Sequence, residues 1–190
     1  MAVTGQASHD LFITPAERLN LAYRARGRKV AYSEPETPKK CGSGMSKVLT
    51  IGFTQTTAGH FFERLRAAGV NKVIDVRLNT KSQLAGFAKG EDLAFFLKEI
   101  TGIEYERQQL LTPTDAMLKD YRTGNKDWGV YQGRFLSLMA EREIEKRLAP
   151  ETFDGACLLC SEKTQHYCHR RLVCEYLNDK WGGALAVRHL

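Results

Sequence analysis

Apolar residues fall into two rhythms from Val48 onward. Short apolar runs predict strands over Val48 to Phe53, Lys72 to Arg77, Ile103 to Arg107, residues 156–160 and the stretch near Ala184 to Val187. Between them, apolar residues recur three and four positions apart. That spacing predicts helices over Thr57 to Ala68, Asp92 to Ile100, Thr114 to Tyr121, Gln132 to Leu148 and about 168 to 179. Gly69 and Gly102 stop two of these helices, Thr112-Pro113-Thr114 opens one, and Pro150 ends another. Regular alternation of strand and helix implies a single-domain α/β fold. Its sheet is expected to be mostly parallel, with about five strands, right-handed crossovers and helices on both faces.

The first 44 residues break this regularity. They hold no sustained period, and Ser33 to Gly44 has the Pro, Gly, Ser and Lys content of a disordered linker, although Thr14-Pro15-Ala16-Glu17 has the form of a short helix start for residues 15–25. Met45-Ser46-Lys47 then stands immediately before the first strand. Residues 1–44 therefore read as an extension to a domain over 45–190, with Met45 as the expected natural start. A length of 190 residues suffices for a sizeable core without disulfide staples. No run approaches the roughly 20 apolar residues of a membrane span, and Met1 to Phe12 lacks the basic start and apolar core of a secretory signal. The expected compartment is the cytoplasm, with no membrane partner. Five cysteines, four of them between 157 and 174, fit reduced thiols or metal ligands better than a disulfide framework.

The net charge of +6 raises the question of a polyanionic partner. Half of it lies in the extension: residues 1–44 hold seven Lys/Arg against four Asp/Glu, leaving 21 against 18 for the rest. The domain itself is only mildly basic.

Two places carry chemistry. Val73-Ile74-Asp75-Val76-Arg77 ends a strand with an acid and a base at i and i+2, hence on one face, and either an ion pair or a ligand role accounts for them. The carboxyl ends of parallel strands are where such sheets bind small molecules. There Cys160-Ser161-Glu162, followed by Cys168-His169-Arg170-Arg171, places thiols, a carboxylate, an imidazole and guanidiniums between a strand and a helix start. A helix N-terminus with arginines favours a thiolate or a bound anion, so Cys168 is a candidate low-pKa thiol, with His169 or His166 as base and Arg170 as anion clamp. The plain alternative is that Cys160 and Cys168 are small buried residues and that Glu162 pairs with Arg170. Zinc would draw on Cys157, Cys160, Cys168 and His169, but strand alternation sends Cys157 and Cys160 to opposite faces and neighbouring 168 and 169 make an awkward ligand pair. A phosphatase or rhodanese cradle needs arginine six positions past the cysteine, where this chain has His166. No metal set and no cofactor is assigned.

Several motifs together resemble the family catalogued as domain of unknown function 488: Thr50-Ile51-Gly52, Ile74-Asp75-Val76-Arg77 with Ser82 and Phe87, Gly102-Ile103-Glu104-Tyr105, Leu111-Thr112-Pro113-Thr114, Tyr131 with Arg134-Phe135 and Arg142, and Leu158-Leu159-Cys160-Ser161-Glu162 with Cys168-His169-Arg170. The resemblance covers about residues 47 to 180. It implies an α/β fold and marks Asp75, Arg77, Ser82, Tyr105, Cys160, Glu162, Cys168, His169 and Arg170 as site candidates. Cys157 and Cys174 fall outside the family pattern, and Leu111-Thr112-Pro113 stands where many relatives carry a Leu-Gly-Gly turn.

The leading functional expectation is a small enzyme acting on a nucleotide, nucleic-acid base or other phosphate-bearing substrate. Arg77, Ser82, Tyr105 and Arg170 would bind it, and Glu162, Asp75, Cys160, Cys168 and His169 would supply the chemistry. Two alternatives belong to other classes: a non-catalytic nucleic-acid-binding module resting on Arg18, Arg24, Arg26, Arg28 and Lys29, and a thiol-redox or zinc-dependent protein. Oligomeric state is not legible in these residues.

Overall fold

The computed structural model describes residues 44–81, 85–124 and 126–190. The extension, with its candidate short helix and its basic cluster, lies outside the described residues, as does Ser82. The compact unit runs from Ser43 to Leu190. Among the described residues it holds five strands: β1 (Ser46–Gly52), β2 (Lys72–Asp75), β3 (Glu104–Arg107), β4 (Ala156–Cys160) and β5 (Leu185–His189). All pair in parallel, in the order β3-β2-β4-β1-β5. Six helices accompany them: α1 (Ala58–Ala67), α2 (Gly90–Phe96, continued by a π turn over Leu97–Thr101), α3 (Asp115–Thr123), α4 (Trp128–Glu141), α5 (Ile144–Arg147) and α6 (His169–Lys180). The chain is therefore an α/β protein with an all-parallel sheet.

Strand alternation sorts the side chains into two cores. Leu49, Ile51, Val73, Cys157 and Leu159 pack on Phe61, Phe62 and Leu65 of α1 and on Leu93 and Leu97 of α2. Val48, Ile74, Ala156, Leu158 and Cys160 face α3 to α6 through Met117, Phe135, Met139, Ile144, Leu172, Val173 and Leu177. Each fully buried Leu or Phe contributes about 1.5–3 kcal/mol over exposure. β4 is buried at all five positions because it lies mid-sheet with helices above and below. That accounts for the unbroken apolar run Ala156-Cys157-Leu158-Leu159-Cys160.

The connections explain where a site can form. From β1 to β2 to β3 the chain steps in one direction across the sheet and its helices cover one face; from β3 to β4 to β5 it steps back and covers the other. Reversing direction and face together keeps every crossover of one hand. The crossover leaving β4 thus lies on the opposite face from those leaving its neighbours β2 and β1, which makes the end of β4, at Cys160, the switch point where open parallel sheets bind ligands.

The long helix predicted over Gln132 to Leu148 is two helices. α4 begins earlier, where the Asp127 carboxylate accepts from the Val130 amide, and the chain breaks at Glu143, which adopts a left-handed φ of 48°. Arg142 at that break donates to the carbonyls of Leu110 and Thr112 at 2.7 and 2.6 Å, fixing the loop that carries Leu111-Thr112-Pro113. The predicted strand over Lys72 to Arg77 ends at Asp75, although the Val76 amide still donates to Leu159.

Candidate active site

Alternation along β2 places Asp75 and Arg77 on the α1/α2 face and Val76 on the other. The Asp75 carboxylate accepts from the Arg77 amide at 3.0 Å, from Arg77 Nε at 2.8 Å and from the Tyr105 hydroxyl at 2.8 Å. Arg77 Nη1 donates to the Ala88 carbonyl at 2.8 Å, and the guanidinium lies 5.0 Å over the Phe53 ring. Asp75 is 0% and Arg77 2% exposed, so this is a closed ion pair, with Arg77 committed to protein partners. Burial would lower the Arg77 pKa, and Asp75 outweighs it, leaving Arg77 raised; burial and then Asp75 raise Tyr105.

The thiol cluster is on the other face. Cys160 ends β4 with its side chain toward α6, and Cys168 and His169 stand at the start of that helix. His169 Nε2 lies 2.8 Å from the Val76 carbonyl, an acceptor only, so that nitrogen carries a proton and Nδ1 faces Cys160 Sγ at 3.7 Å. Arg170 Nη1 donates to Cys168 Sγ at 3.2 Å and to the Glu162 carbonyl at 2.6 Å; its Nε donates to Thr50 Oγ1 at 3.3 Å, and that hydroxyl also meets His189 Nδ1 at 2.8 Å. Arg170 is 1% exposed and holds the loop 161–168 against α6. The Ser161 carbonyl accepts from both the amide and the hydroxyl of Thr54. Gly52 is required beneath this loop because a Cβ there would come within 1.7 Å of the Glu162 carbonyl oxygen.

These contacts distribute charge unequally between the two thiols. Cys160 is held well below the ordinary thiol value: the Cys168 thiol hydrogen-bonds to it, and the His169 imidazole and the Glu162 backbone amide act the same way against the cost of burial. Cys168 is pushed up, first by burial and then by the Cys160 thiolate. Burial would lower His169, but the Cys160 thiolate outweighs it and the imidazole is raised. The three directions together favour the charged forms of Cys160 and His169 and the neutral form of Cys168. Glu162, exposed at the rim, is raised by burial of its carboxylate and by Cys160. Cys157, on the far face, is pushed up by burial, and Cys174 is pushed up to about 12 by the same cause.

The sequence expectation that Asp75 and Arg77 form one wall of the Cys160 pocket is met only in part. Both clusters stand at the same edge of the sheet, but they lie on opposite faces and meet at the Val76 carbonyl. Tyr105 joins Asp75, whereas Cys160, Cys168, His169 and Arg170 come together, with Glu162 at their rim. The clamp expected of Arg170 is replaced by bonds to protein carbonyls. Cys168 and His169, adjacent and so unpromising as joint ligands, do converge: one donor atom from each of Cys160, Cys168 and His169 falls within 4.8 Å of the others, a set suited to a soft metal. Thr50 and Gly52 acquire roles that only the loop's position reveals. Tyr131, raised by burial and then by Cys160 and Cys168, sits beside the thiols, and the exposed Arg122 acts on both Tyr131 and Glu162.

Fold and site define a parallel α/β protein with a thiol–imidazole centre at the carboxyl end of its middle strand. The family model described as domain of unknown function DUF488 matches residues 57–177, and the chain belongs to that family. Neither a curated protein nor a solved structure matches the chain. Among the described residues no helix is long and apolar enough to cross a membrane.

Proposed function

We propose that the protein is a small enzyme acting on a nucleotide, nucleic-acid base or other phosphate-bearing substrate at the carboxyl end of β4, with the Cys160 thiolate as its nucleophile. The observation that carries this reading is the gathering of Cys160, Cys168 and His169, one donor atom of each within 4.8 Å of the others, with His169 Nδ1 3.7 Å from Cys160 Sγ. A thiol so placed is ionised and oriented before substrate arrives. His169, fixed by the Val76 carbonyl, balances the thiolate, and the Glu162 carboxyl, raised and at the rim, is the proton donor to a leaving group. Asp75, Arg77, Tyr105 and Arg170 position these groups. Substrate charge is met by Arg122, which makes no ion pair among the described residues, and by the first amides of α6.

The test is protection of Cys160. Iodoacetamide should label Cys160 fastest in the native protein, and a panel of nucleotides, nucleosides and sugar phosphates should contain a compound that slows labelling and raises the melting temperature. A ligand at a hundred times its Kd adds about 2.7 kcal/mol. If no compound does either, the substrate class is wrong; if Cys160 labels no faster than Cys174, the nucleophile is wrong.

A second reading, a thiol-redox or zinc-dependent protein, is favoured by the convergence of the three soft donors within 4.8 Å. His169 presents one ring nitrogen to the cluster while the other donates to a carbonyl, the arrangement usual for ligating histidines. Stoichiometric zinc in protein purified without chelators, lost in a Cys160→Ser variant, would establish it.

A further inference from the structure

An aromatic row leads from the protein surface to the thiol centre. Tyr167, one residue before the buried Cys168, is 66% exposed. Its ring stands edge-on to Trp128 at 5.7 Å and 78°. Trp128 stacks on Tyr131 at 5.3 Å and 26°, Tyr131 lies nearly parallel to Phe135, and Phe135 packs on the His169 imidazole at 5.5 Å. Trp128 and Tyr167 come from different elements, the first turn of α4 and the loop between β4 and α6. Two near-perpendicular rings make a corner, one of whose walls is an exposed aromatic face. Arg122, exposed, follows Tyr121, whose ring packs edge-on to Trp128 at 6.1 Å.

We infer that Trp128 and Tyr167 form a two-walled ledge that takes a planar aromatic ring, a nucleobase in chemical class, and so orient the substrate over Cys160. This rests on the reading above and narrows its substrate from any phosphate-bearing compound to one with a flat heterocycle. The ring stacks on the open Tyr167 face with its edge toward Trp128, and an attached phosphate reaches Arg122. Both walls are rigid: Trp128 is held by the Asp127-capped start of α4 and by Tyr131, and Tyr167 is tethered to the buried Cys168. Every base has a π face, so the ledge selects for a flat ring without reading its edge.

The experiment uses the full chain with Trp181→Phe, leaving Trp128 as the only tryptophan, and follows its fluorescence with adenosine, adenosine 5′-monophosphate and ribose 5-phosphate. Adenosine and the monophosphate should quench Trp128, and ribose 5-phosphate should not. Tyr167→Leu should weaken both ring compounds by at least about tenfold, while Tyr167→Phe, equal in bulk and still aromatic, leaves them nearly unchanged. A loop pin alone would be served by either substitution, so matching melting temperatures in the two variants isolate stacking. Equal affinity in Tyr167→Leu, or binding of ribose 5-phosphate as tight as that of the monophosphate, overturns the ledge and leaves the phosphate reading standing. No binding by any probe, and none protecting Cys160, overturns both. If Trp181→Phe fails to fold, calorimetric titration of the Tyr167 variants with the same probes gives the same discrimination.

Discussion

Two polar clusters stand at the ends of neighbouring strands and are built on opposite principles. At the end of β2, Asp75, Arg77 and Tyr105 form strong charged hydrogen bonds in an apolar layer with Phe53 above. At the end of β4, Cys160, Cys168 and His169 make longer and weaker contacts through sulfur. The first cluster gains nothing from a substrate, because exposing it would break bonds already made. The second, on the function proposed above, would hold a nucleophile in place by donors that a reaction can displace. They are joined through the backbone at Val76, which lies between the paired Asp75 and Arg77 and whose carbonyl fixes the His169 ring. Both clusters are buried, but only the first is closed by charged hydrogen bonds, and the sequence, which nominated both as site, does not separate them.

The harshest way to break that comparison is to remove the closed cluster's cation. Arg77→Met strands the Asp75 carboxylate in a buried layer and should cost about 3–5 kcal/mol in denaturant unfolding. Asp75→Leu combined with Arg77→Met should cost clearly less than the two single changes together, because no orphaned charge remains. A single-variant cost below ~1 kcal/mol would mean that the pair is solvated and free for substrate. Next in size is Gly52→Ala, whose added Cβ meets the Glu162 carbonyl at 1.7 Å and forces the loop outward. We expect a loss of about 1–3 kcal/mol together with a rise in the Cys160 pKa as the Glu162 amide moves away. A stability loss with unaltered thiol reactivity would show that the loop does not set the nucleophile.

The sequence reveals most of the architecture. Apolar runs bounded by turns mark β1, β2 and β4, whose burial on two faces leaves little polar alternation to confuse them, and β4 matches the expected residues 156–160, whereas β3 and β5 lie at the sheet edges and are mostly half-buried or exposed. The break at Glu143 is hidden because Gln132 to Leu148 keeps helical spacing through it; the break follows from Arg142 reaching two carbonyls 32 and 30 residues upstream, a contact no local pattern encodes. The Cys160, Glu162, Cys168, His169 grouping is legible because it is local in sequence and straddles a strand end and a helix start. What spacing cannot give is which arginine is free. Arg77 and Arg170 have the residue type and position of anion clamps, and only three-dimensional packing brings Asp75 and the carbonyls of Glu162 and Lys163 to their guanidiniums. Arg122, in a helix with no motif around it, carries no signal at all.

A milder change tests the closed cluster without orphaning a charge. Tyr105→Phe removes the 2.8 Å donor to Asp75 and leaves Arg77 in place, so it should cost about 1.5 kcal/mol and leave Cys160 labelling unchanged. A large change in labelling would show that Tyr105 acts on the thiol centre and not only on the closed cluster.

The smallest effect on folding sharpens the contrast from the other side. The rate of Cys160 alkylation follows its thiolate fraction, and Cys160 is held well below its ordinary value of 9.0, so the inflection of the rate should lie well under 9.0. Cys168 is the strongest contributor to that lowering. Cys168→Ala should therefore move the inflection upward, and Cys168→Ser, which keeps a hydroxyl donor, should move it less. Cys174, raised to about 12, should remain unlabelled in native protein across the same range, which makes it the internal control. An inflection unmoved in Cys168→Ala would assign the lowered value to His169 and the Glu162 amide, and the two adjacent thiols would then be neighbours by packing and not a donor and its anion.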